Sequence, residues 1–156
     1  MILEFLLFLL IVILLSISIA GYGSLLSKTQ NDFFVHIFVG IIIISFLITF
    51  AHFFTKINTF FGIIIFFIGL IFFFLKKDFS ISQIYKTKNI LYILIIILFI
   101  PLFLSQKYHE DFGYYHLPYA IGLIEEKIIF GFANIDSSYV YNSIWLNLYS
   151  IFFLHE

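Results

Sequence analysis

The sequence predicts an all-α polytopic membrane protein of four to five transmembrane helices, with one further amphipathic helix lying in the membrane interface. Composition is the first ground. Of the 156 residues 63% are hydrophobic and 11% charged, whereas water-soluble domains are roughly half apolar and a quarter charged, so polar surface is too scarce to wrap a globule of this size. The second ground is run length, because the apolar residues fall in stretches near the ~20 that a helix needs to cross about 30 Å of hydrocarbon. The third is charge placement: most of the acids follow Leu104, and half of the lysines crowd one loop.

The first run, Phe5 to Leu26, is broken only by small residues and is bounded by Glu4 and Lys28. No lysine or arginine precedes it and it is longer than a secretory h-region, so it is expected to be a retained span and not a cleaved signal. The second, Phe33 to Thr55, lies between Asp32 and Lys56. His36 and His52 fall within about one turn of its ends and are expected to be interfacial anchors. The third, Ile57 to Leu75, ends at Lys76-Lys77-Asp78, and Gly62 and Gly69 on it share a face suited to close helix contact. Its Phe66-Phe67 and Phe72-Phe73-Phe74 clusters suit lipid or ring packing. The fourth, Ile90 to Leu104, is short and carries Pro101 in its last turn, where transmembrane helices tolerate the lost donor if neighbours compensate. Residues 1–104 are thus expected to form a four-helix membrane region.

Lysine placement orients it, since cytoplasmic loops hold the excess of basic residues. Lys76, Lys77, Lys86 and Lys88 lie between the third and fourth runs, which makes that loop cytoplasmic. Counting outward, the loop at Lys28 is also cytoplasmic, whereas the amino terminus, the turn at Lys56 to Asn58 and everything just after Leu104 are external. Lys56 alone dissents.

Residues 105–138 are expected to form an external acidic loop followed by an interfacial helix. The loop reads Gln106-Lys-Tyr-His-Glu-Asp-Phe-Gly-Tyr-Tyr-His-Leu-Pro118. A carboxylate at the mouth of a helix bundle can draw a proton from a hydroxyl or hold a hard divalent cation against a phosphate, and Glu110-Asp111 offers both. His109 and His116 could complete a cation site or orient a carboxylate. The same residues would equally compose a solvated interfacial loop. Pro118 suits a first helical position, and Leu117, Ile121, Ile124 and Ile128 recur at helical spacing with Glu125, Glu126 and Lys127 off their stripe. Gly131 is the expected C-cap, and 134–138 a turn. From Tyr139 to Leu154 apolarity returns, interrupted by Asn142, Ser143 and Asn147, as the start of a fifth membrane segment over 139–156.

The formal charge of −1 leaves no basic footprint for nucleic acid, and the absence of cysteine excludes disulfides, zinc thiolates and thiol catalysis. The order of an external acidic loop after a span, an amphipathic helix and a return to the membrane resembles the first large outer loop of bacterial GT-C-type glycosyltransferases, which take a sugar from a polyprenyl-phosphate carrier. The matching residues are Glu110-Asp111, Tyr115-His116, Gly131-Phe-Ala-Asn134 and Asn142-Ser143, over about the last third of the chain. The acids are adjacent here, where many members of that group place one residue between them.

The resemblance implies a catalytic role for Asp111 first and Glu110 second, as base or as ligands of a divalent cation (Mg or Mn) with His116. It implies supporting roles for His109, Tyr115 and Asn134, and leaves Lys107 and Lys127 as the nearby groups for the carrier phosphate. It places the chain in the bacterial inner membrane, with the lipid bilayer and a polyprenyl-phosphate-linked sugar as partners and an envelope glycan as acceptor. Such enzymes have roughly eight or more spans, so the chain is expected to be an amino-terminal portion, inactive without a carboxy-terminal part or partner subunit. The competing expectation is a non-catalytic membrane scaffold or transporter-associated subunit whose outer loop binds a partner.

Overall fold

The structure is a computed structural model, described here for residues 2–26, 32–76, 90, 94, 97–98, 113–114, 117–128, 131, 147–148 and 150. Every regular element among the described residues is helical. In chain order these are α1 (Ile2–Gly23), α2 (Phe33–His52), α3 (Thr59–Leu75) and α4 (Leu117–Glu125). Two helices, α1 over Phe5–Gly23 and α2 over Phe33–His52, are long and apolar enough to cross a membrane, and α3 is a shorter apolar helix of 17 residues. At 1.5 Å per residue α3 reaches about 25 Å, just short of an average hydrocarbon core. The expected fourth run is described only at Ile90, Leu94, Ile97 and Leu98, and the fifth only at Asn147, Leu148 and Ser150, all of them helical. The rest of both lies outside the described residues.

The helix boundaries follow local chemistry. Asp32 caps α2, its carboxylate accepting the Phe34 N–H at 3.2 Å, and Asn58 caps α3 by accepting the Phe61 N–H at 3.0 Å. Both occupy the position before the first turn, where a side-chain oxygen satisfies a backbone donor that the helix cannot. At the other end of α1 the Ser24 hydroxyl donates to the Gly21 carbonyl at 2.6 Å and the Leu25 N–H tightens onto Tyr22, so this helix stops short of the expected Leu26.

The chain forms two compact units, one of Met1–Ile41 with Phe66–Lys107 and one of Ile42–Ile65 with Tyr108–Glu156. In the first, α1 meets α3 with almost no side-chain spacing. A Cβ on Gly21 would overlap the backbone of Gly69, and one on Gly69 would overlap Ser18 and Tyr22. The Ser18 hydroxyl donates to the Phe66 carbonyl at 2.8 Å, and the Tyr22 ring meets Phe72 edge-on at 5.5 Å. Small residues thus let the backbones touch, as the pairing of helices in lipid requires where no hydrophobic drive exists between them. Away from these seams, large apolar side chains such as Leu3, Leu6, Phe38, Phe46, Phe60 and Phe74 are exposed, a surface that suits hydrocarbon and not water.

Candidate functional site

The second unit contains the polar residues that an apolar chain must have a reason to bury. Along α2, Ser45 and His52 are buried and Thr49 is half-buried. Spacings of four and three put these three on one stripe of the helix. Asn147 and Ser150, three apart, are also buried, and the Asn147 amide donates to the Thr49 hydroxyl at 3.3 Å. The Asn147 carbonyl oxygen and His52 Nδ1 are buried with no hydrogen-bond partner among the described residues.

The end of α2 and the end of α4 satisfy one another. His52 Nε2–H donates to the Glu126 carbonyl at 3.0 Å, the His52 carbonyl accepts the Ile128 N–H at 3.1 Å, and the Ile57 N–H donates to the Leu123 carbonyl at 3.3 Å. A helix leaves its last carbonyls without internal donors, and here the chain just beyond each helix donates to a carbonyl in the last turn of the other. Ile57 is fully buried under this contact, as is Ala120 on α4. Residues 52–57 and 123–128 are thereby tied together.

This contact corrects the expected end of α4. The helix stops at Glu125 and does not run on to a cap at Gly131, because the Ile128 N–H turns to the carbonyl of His52. Gly131 does adopt positive φ, at 83°, but in a turn beyond the helix and not as its C-cap. The buried face of α4 centres on Ala120 and Leu123, with Leu117, Tyr119, Ile121 and Ile124 half-buried, about a quarter turn from the stripe that the large apolar residues outlined. Small Ala120 is fully buried, and a count of bulky residues overlooks it. Glu125, Glu126 and Lys127 are exposed, as expected of residues off the buried side. Burial pushes the phenol of half-buried Tyr119 above its ordinary range.

His36 and His52 are not headgroup anchors. Their exposures are 4% and 1%, so both rings lie inside the protein. Of the residues singled out for chemistry, the structure describes Lys127, which is exposed beside the end of α4. Lys107, His109, Glu110, Asp111, Tyr115, His116 and Asn134 lie outside the described residues. His116 immediately precedes the first residue of α4, and Asp111 stands six positions before it. The described residues hold no group of three or more histidines or acids able to bind a metal ion. The residues that the sequence reading missed are Thr49, Asn147 and the role of His52; a polar stripe at spacings of four and three inside an apolar run was the signal that could have found them.

The described residues thus form an all-helical chain with two helices long and apolar enough to cross a membrane and a short helix tied to the end of one of them. Over residues 1–155 it matches, and belongs to, the family described as Domain of unknown function (DUF8201). No curated protein and no solved structure matches the chain.

Proposed function

We propose that this chain is the membrane-embedded, amino-terminal part of a GT-C-like glycosyltransferase of the bacterial inner membrane, moving a sugar from a polyprenyl-phosphate carrier to an envelope acceptor. The observation that carries the reading is the pair of capped helix ends, in which 52–57 and 123–128 share hydrogen bonds. It anchors α4 at the end of a helix able to span the bilayer, and the acidic pair Glu110-Asp111 is connected to α4 by only a few residues. A carboxylate held at the rim of a membrane bundle is where a lipid-carried sugar and a water-soluble acceptor would meet.

The same contact supports the number of spans. Residues 57 and 123 are hydrogen-bonded, and with both placed at the outer face an even number of crossings separates them. If α3 crosses, a second segment crosses back before α4, and Ile90 to Leu104 is the long apolar run available. With the lysine-rich 76–88 loop inside, the amino terminus and the acidic loop are outside.

In the proposed reaction the Asp111 carboxylate, aided by Glu110, takes the proton of an acceptor hydroxyl. The hydroxyl oxygen then bonds to the anomeric carbon as that carbon's bond to the carrier phosphate breaks, and polyprenyl phosphate leaves with the electron pair. A divalent cation held by Glu110, Asp111 and His116 would offset the charge on the departing phosphate. Lys127 and Lys107 are the cationic side chains nearest to these acids in sequence.

The test is Asp111→Asn, Glu110→Gln and the double variant in the full-length protein, assayed for consumption of lipid-linked sugar. Loss of about 10²-fold or more in the Asp111 variant is expected for a catalytic base. Full transfer by all three variants would remove the assignment and favour a scaffold whose outer loop binds a partner.

A further inference from the structure

We propose that His52 is a positioning residue, donating through Nε2–H, and that it fixes the segment 117–128 to the end of α2. The inference goes beyond the proposed reaction and holds for whatever chemistry the acidic loop carries. A carbonyl oxygen can only accept, so the 3.0 Å contact between His52 Nε2 and the Glu126 carbonyl requires the proton on Nε2.

His52 also acts through its backbone. Its carbonyl receives the Ile128 N–H while its side chain reaches Glu126, so one residue grips two positions of the outer segment two residues apart. Ile57 completes the clamp at Leu123. Burial of the apolar Ala120 and Leu123 has no preferred direction, whereas the imidazole N–H aims at one carbonyl.

The atom specificity gives the test. The amide nitrogen of glutamine falls near the position of Nε2, and that of asparagine near Nδ1, so His52→Gln can restore the bond to Glu126 and His52→Asn cannot. Amide hydrogen exchange is measured at Ile57 and Ile128 in the full chain in lipid nanodiscs, with Ile48 in the interior of α2 as the control for folding. His52→Asn is expected to speed exchange at Ile128 roughly five- to tenfold, and His52→Gln to leave it within about twofold of the parent. The imidazole ¹⁵N spectrum of the parent protein is expected to show a protonated Nε2. Equal protection in both variants, or equal loss in both with Ile48 unchanged, overturns the positioning role. If His52→Asn exposes Ile48 as well, the parent spectrum decides, and a bare Nε2 overturns the proposal.

Discussion

At the scale of single residues, the same substitution is expected to act in opposite directions at two glycines. Gly21→Ala would drive a methyl group into the backbone of Gly69, where neither helix has a flexible side chain to yield. Overpacking of this kind costs about 1–3 kcal/mol. Gly122 lies on the open side of α4 with nothing within 4 Å of an added Cβ. There Gly122→Ala should stabilise by roughly 0.5–1 kcal/mol, because the unfolded chain loses freedom and helix propensity rises. Thermal unfolding in a fixed detergent checks both, and a stabilised Gly21→Ala would contradict the close contact of α1 with α3. Gly69 was legible in the sequence as a packing glycine. Gly21 was not distinguishable from a small residue at the end of a span, since only the partner backbone makes its hydrogen indispensable.

At the scale of elements, α4 shows what periodicity can and cannot settle. That a short helix follows the acidic loop was legible from Pro118 and the repeat of apolar residues. Its end and its buried face were not. The end is set by a hydrogen bond from Ile128 to His52, 76 positions earlier in the chain, and the buried face is that of Ala120 and Leu123. Leu123, at 8% exposure, is expected to lose about 2–3 kcal/mol on truncation to alanine, whereas Glu125→Ala on the exposed side should stay within about 0.5 kcal/mol. Comparable losses at both positions, read from denaturant midpoints, would place the helix on the stripe that hydropathy alone outlines.

At the scale of the whole molecule, the proposed topology rests on lysine counting and on the contact between Ile57 and Leu123. Lys56 dissents from that count; it is exposed and lies between the end of α2 and Ile57. The chain has no cysteine, so single cysteines at Ser80 and Ser137 report sidedness cleanly. A membrane-impermeant thiol reagent applied to intact cells should label Ser137→Cys and spare Ser80→Cys. The reverse pattern would invert the orientation, and labelling of both would remove the second crossing from the scheme.

The amino-acid sequence by itself determined the helical, strongly apolar character of this protein and the confinement of most of its acids to one stretch. Both follow from composition and from the length of uncharged runs, which need no partner to be read. Tertiary structure alone decided that His52 is buried and bonded and not an anchor at the headgroups, that α4 stops at Glu125, and that residues 52–57 and 123–128 cap each other. The physical reason is that backbone hydrogen bonds between distant segments leave no periodic trace in side-chain pattern, because any residue can supply the N–H or the carbonyl.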